Sequence, residues 1–205
     1  MAAFTRVING VTVIAEADPT VENQALGLLE LLAGISHGAV SRGETVELGW
    51  GPVIPEVVGN GTVRLRVPDY AGDPYTELTY DLTIALWVLY EQGAILRQLG
   101  STGRATRFDE KVVYAQGALE SDQRVYANRI DATTAKDSGW FVGFVPPGTP
   151  QLEATRAFKL LNRRRELVKF LALPPGYMLV MTGTTVESLT DSDGTNFAEQ
   201  LLSPQ

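Results

Sequence analysis

At 205 residues, 44% hydrophobic and 20% charged, the chain is long enough to bury roughly 70% of its unfolded surface as one large domain or two small ones, without covalent staples. It has no cysteine, which excludes disulfides and thiolate metal sites and fits a reducing compartment. The formal net charge of −7 is uneven, with 6 Lys/Arg against 12 Asp/Glu in residues 1–104 and 11 against 12 in 105–205; this speaks against direct nucleic-acid binding, which needs basic surface to displace counterions, and favours a basic partner.

The opening segment lacks a basic stretch followed by an apolar run, so no signal peptide is expected. The apolar stretches are interrupted by Glu, Gln or Arg well before the ~20 residues of a membrane span. The expectation is a cytoplasmic protein that does not enter a membrane.

Phe4–Ile8, Asn9-Gly10 and Val11–Ala15 predict a β-hairpin, because Asn-Gly suits the primed turn that strand twist requires. Asp18 and Pro19 then supply a cap and a first position for a helix whose apolar stripe is Val21, Ala25, Leu28, Leu29 and Leu32, ending near Gly34. Between Glu44 and Val67 two or three short strands are expected, divided by Gly49, Gly51, Pro55 and the Gly59-Asn60-Gly61 turn. A longer helix begins at Asp81, with Leu82, Ala85, Leu89, Ile95, Leu96 and Leu99 as its buried face and Gly100 as its stop. Ser101–Thr106, short, polar and glycine-containing, is the expected linker, giving modules 1–104 and 105–205.

Beyond it, strands are expected near 110–115, 124–130 and 140–145, a stiff loop at Pro146–Pro150, helices over about 151–162 and 164–171, and a final strand at 177–182. After Thr190 a turn is expected at 191–194, followed by a short helix or a frayed end. Regular βαβ alternation and a Gly-rich phosphate loop are both missing, so the fold class is α+β with largely antiparallel sheets and packed helices.

No residue pattern makes a catalytic centre. His37 is the only histidine and follows the first helix, where a surface or capping role is expected. The Arg163-Arg164-Arg165 run, flanked by Lys159 and Lys169, reads as a solvated face or as pairs with Glu166 and Glu153. Asp69 with Asp73, and Asp191 with Asp193, sit in turns where Asp bonds local backbone. Trp50, Trp87 and Trp140 read as core residues, with a partner pocket as the sharper alternative. Neither metal nor cofactor is called for.

The most distinctive segment is Asp137-Ser138-Gly139-Trp140-Phe141-Val142-Gly143. Asp and Ser can close a turn through bonds to nearby amides, Gly139 can take a positive φ, and Trp140 and Phe141 then begin a strand with rings on opposite faces. This box follows the strands Val112-Val113-Tyr114 and Arg124–Arg129, and precedes Leu171-Ala172-Leu173-Pro174 and Tyr177–Met181. In that order residues 105–185 resemble a bacterial immunity-protein family of polymorphic toxin systems, whose C-terminal module carries an Arg-containing strand, a DSGW box followed by an aromatic, a Leu-Ala-Leu-Pro-type segment and a last strand. Val46–Gly51, Leu65–Tyr70 and a helix containing Gln92 resemble the companion region of some members. A cysteine that some members carry near Val112 and Val113 is missing here.

The resemblance implies a non-enzymatic, cytoplasmic antitoxin that binds a cognate toxin domain and occludes its active site. It makes Arg129, Asp137, Ser138, Gly139, Trp140 and Phe141, with Trp50 and Asp69, the family-motif or toxin-contact candidates. Two other functions stay open: a carboxylate-dependent hydrolase or ligand-binding enzyme, and an adaptor or chaperone that escorts an effector. Oligomeric state is not legible.

Overall fold

The computed structural model describes residues 1–35 and 38–198; His37 and the end of the chain, for which a surface role and a short helix or frayed end were expected, lie outside the described residues. The chain divides into two compact units, Met1–Tyr90 and Glu91–Gln205. In the first, β1 (Ala2–Ile8) and β2 (Val11–Ala17) form an antiparallel hairpin. Its turn residues Asn9 and Gly10 take φ of 49° and 81°, the primed geometry that Asn-Gly permits. Asp18 Oδ1 accepts from the Thr20 amide at 2.9 Å, and Pro19 opens a short 3₁₀ turn leading into α1 (Glu22–Ile35). Ala25, Leu28, Leu29 and Leu32 form the buried stripe of α1.

β3 (Val46–Leu48), β4 (Gly51–Gly59), β5 (Thr62–Pro68) and β6 (Leu78–Thr79) complete a six-stranded sheet of order β1-β2-β5-β4-β3, with β6 on β5. All its pairs are antiparallel except β2–β5. Pro55 does not divide a strand: it lies inside β4, opposite Leu65. α2 (Thr83–Gln98) starts where Asp81 Oδ1 accepts from the Thr83 amide at 3.0 Å. Ala85, Leu86, Val88 and Gln92 are its buried residues and Leu82 just before it is buried too, whereas Leu89, Ile95 and Leu96, with Leu99 just beyond its end, are only half-buried. The helix ends as expected near Gly100, with Ser101 N–H donating to the Leu96 carbonyl at 3.0 Å.

The second unit holds β7 (Lys111–Ala115), β8 (Arg124–Arg129), β9 (Asp137–Phe144), β10 (Leu152–Arg156), β11 (Met178–Thr182) and β12 (Thr185–Thr190), in the order β10-β7-β9-β8-β11-β12. Only β7–β9 is parallel. The fold is α+β. Residues 152–156, expected to be helical, form edge strand β10 against β7 instead. Leu152-Glu153-Ala154-Thr155-Arg156 carries good helix formers, but pairing with the free edge of β7 satisfies its backbone and overrides propensity. What remains helical is short: a 3₁₀ turn at Ala157–Lys159, then α3 (Leu160–Arg163) and α4 (Arg165–Val168).

The sheet of this unit has two unlike faces. Val112, Tyr114, Val125, Ala127, Trp140, Val142, Leu179, Met181 and Leu189 are buried with Leu160, Leu167, Val168, Leu171 and Leu173, each Val, Leu or Met side chain contributing about 1.5–3 kcal/mol. The opposite face is open.

Candidate functional site

The Asp137–Trp140 box is a bulge in β9. Between Lys111 and Val113 of β7 the partner strand advances from Asp137 to Phe141, so two residues face four. Gly139 absorbs the excess at φ +77°, and a Cβ there would lie 2.0 Å from the Ile130 carbonyl oxygen. Asp137 Oδ1 accepts from the Gly139 amide at 3.0 Å, and Ser138 Oγ accepts from the Trp140 amide at 3.1 Å while donating to the Lys111 carbonyl at 2.5 Å. The residue types of the box are thus spent on shaping its own backbone.

Arg129 ties this bulge to the rest of the unit. It is 1% exposed, stands opposite Trp140 in the ladder, and donates from Nε to the Ser138 carbonyl at 3.0 Å. Its Nη1 reaches the carbonyls of Arg104 at 2.7 Å, Leu171 at 3.0 Å and Leu173 at 2.5 Å. The Leu171 carbonyl also accepts from Trp140 Nε1 at 3.2 Å and Thr106 Oγ1 at 2.7 Å. Three separate sequence signals, the arginine strand, the box and Leu171-Ala172-Leu173, therefore meet in one buried knot. Ser101–Thr106, read as a linker, is bound into it through Arg104 and Thr106.

Burial lowers the Arg129 pKa to about 10, with Arg104 adding to the effect and Glu110 opposing it; the group stays charged at neutral pH and acts as a permanent donor. Asp137 is held below the usual carboxylate range by the Gly139 amide, against burial, with Thr133 helping. Next to the knot, two consecutive carboxyls diverge. Burial pushes Asp109 up, but bonding to Lys136 and the charge of Arg107 overcome it and hold the group low. Glu110, buried with no partner for Oε2 among the described residues, is pushed up by the same desolvation.

The basic run also anchors carbonyls. Arg164 is buried and donates to Ala118, Ser121 and Gly183 carbonyls at 3.1, 2.5 and 2.9 Å, which corrects the expectation of a solvated face. Arg163 pairs with Glu120 at 2.5 Å and donates to Tyr114 Oη at 2.8 Å, rather than meeting Glu153. The ion pair to Glu166 comes from Lys169, at 3.2 Å, which also lies 3.5 Å from Glu91.

Elsewhere the candidates separate. Trp50, in the first unit, is 1% exposed beside Tyr70, ring centroids 5.9 Å apart. Asp69 Oδ1 accepts from the Ala71 and Gly72 amides at 3.0 and 3.2 Å, the backbone role its turn predicts. Asp191 Oδ1 likewise accepts from Asp193 and Thr195 amides. No group of three or more His, Asp or Glu among the described residues is placed to hold a metal ion, and no described helix is long and apolar enough to cross a membrane.

Of the box residues Asp137 and Phe141 are half-buried and the rest are buried; Phe141 is the apolar one that reaches the surface. It lies on the open face of the second sheet, tilted against Tyr126 with ring centroids 5.7 Å apart. Gly143 stands opposite Tyr126, and a Cβ there would meet both rings at 2.8 Å. Tyr126, Phe141, Gly143, Pro147, Pro150 and Leu152 line a groove of about 290 Å³ between this face and the proline loop. Val113, Val180 and the exposed Ala154, Leu152 and Met178 continue the apolar face. Sequence reasoning missed it because the strand at 152–156 was not recognised; the alternation of Val125, Ala127 and Arg129 with Tyr126 and Asn128 was the available signal.

Residues 91–192 match the family model described as the Imm33-like domain, an immunity-protein family. No curated protein and no solved structure matches the chain.

Proposed function

We propose that this protein is an antitoxin: a non-enzymatic immunity protein that binds a cognate toxin domain in the cytoplasm and neutralises it by covering its active site. The observation that carries this reading is the Imm33-like match, which begins at the first residue of the second compact unit and spans nearly all of it. The buried arginine knot supports it in a negative way. Arg129 Nε and Nη1 are bonded to main-chain carbonyls, while Nη2 has no hydrogen-bond partner among the described residues; the family-like residues hold a scaffold and leave recognition to the surface.

The partner is proposed to carry a basic surface. Counted by compact unit, Met1–Tyr90 has 4 Lys/Arg against 11 Asp/Glu and Glu91–Gln205 has 13 of each, so the whole net charge lies in the first unit, where it would accelerate encounter. The test is coexpression with the toxin domain encoded beside this gene. Survival of the cells together with a stable purified complex is expected, with an association rate that falls as salt is raised. Undiminished killing at excess antitoxin sinks the proposal.

A further inference from the structure

From the open face of the second sheet we infer that the toxin seats an apolar side chain in the Tyr126–Phe141–Leu152 groove and places a carboxylate between Lys111 and Arg156. The inference rests on the immunity reading and specifies its contact. Leu152 is 58% and Met178 41% exposed, on a surface where Val113, Tyr126, Phe141 and Val180 are only half-buried. A largely apolar sheet face, interrupted by Asn128 between Phe141 and Met178, is a mark of a protein partner.

Charge fixes the chemistry of that partner. At one end of the face Arg124 and Glu187 neutralise each other at 2.6 Å. At the other end Lys111 stands directly opposite Arg156 across the β7–β10 ladder. Like charges in facing positions disfavour strand pairing, and neither side chain is in an ion pair among the described residues. One carboxylate stands alongside, Asp137, which faces Lys111 in the β7–β9 ladder, is held low in part by its charge and is also bonded to the Gly139 and Thr133 amides; it leaves one of the two cations unbalanced. Arg156 is steadied by donating Nη1 to the Asp109 carbonyl at 2.7 Å, which neutralises nothing. An incoming carboxylate relieves this repulsion at one end of β10, while the groove at the Leu152 end of the same strand takes the apolar part of the same segment. A locally unfavourable pair on the same sheet face as an apolar groove is the expected signature of an interaction site.

The experiment uses the full-length protein and the toxin domain whose lethality it suppresses. Calorimetric affinities are compared for the wild type, Leu152→Asp, the double variant Lys111→Glu/Arg156→Glu, and Lys159→Glu, an exposed position in the 3₁₀ turn outside the sheet. The first two variants change exposed or edge positions, and thermal melting checks that they stay folded. Each is expected to weaken binding on the order of tenfold or more, whereas Lys159→Glu binds as the wild type does. Wild-type affinity, within twofold, in both face variants would overturn the inference while leaving the immunity reading intact. A toxin that the wild type itself neither binds nor suppresses removes the parent reading, and this contact with it.

Discussion

Gly139 and Arg129 set the stability of the second unit. Gly139→Ala is expected to cost about 3 kcal/mol or more, because it adds positive-φ strain to a 2.0 Å approach of its Cβ to a carbonyl oxygen. Arg129→Met removes the donor from four carbonyls and is expected to cost about 3–5 kcal/mol. Urea denaturation measures both, and a change below about 1 kcal/mol would contradict the knot's role. Glu110 makes the pH prediction. Its folded pKa lies above its ordinary 4.5, so the folded state holds the proton more tightly. The stability it contributes is fully present below 4.5 and is lost as pH rises through the folded value. Glu110→Gln should therefore gain stability relative to the wild type between pH 4 and pH 7. Melting curves showing a constant or shrinking difference would refute this.

Single elements were legible where local chemistry decides them. Asn9-Gly10 fixes a hairpin, Asp18-Pro19 a helix start and Asp137-Ser138-Gly139 a turn, because in each the side chain bonds or shapes its own neighbourhood. β10 was illegible because its strand state depends on an edge offered by β7, thirty-seven residues or more earlier. The burial of Arg164 was hidden for the same reason: its acceptors come from 118, 121 and 183, and an isolated Arg run gives no hint of them. The groove is built by β8, β9 and the loop before β10. Gly143→Ala should displace the half-buried rings of Tyr126 and Phe141 with a stability loss of about 1 kcal/mol or less, since rings at a surface can swing aside. Affinity for the toxin should fall more than stability does, and equal wild-type affinity by calorimetry would show that the groove is not used.

The whole chain divides its labour between an acidic unit, which carries the net charge, and an uncharged-on-balance unit built around the arginine knot. The second unit begins before the Ser101–Thr106 segment: Gln92 is buried and donates to the Val168 carbonyl at 2.9 Å. A fragment starting at residue 91 is therefore expected to fold and to melt above one starting at 105, by roughly 1–3 kcal/mol of stability; equal melting would place the boundary at the glycine segment after all. The antitoxin reading makes a demand on stoichiometry that neither an enzyme nor an escort meets. The most direct measurement is a titration of the purified toxin domain's activity with this protein, at toxin concentrations well above the dissociation constant. Linear loss of activity to a sharp end point at one antitoxin per toxin is predicted. Loss at far below one equivalent would indicate catalysis, and full activity in a saturated complex would indicate an escort; either result contradicts the account.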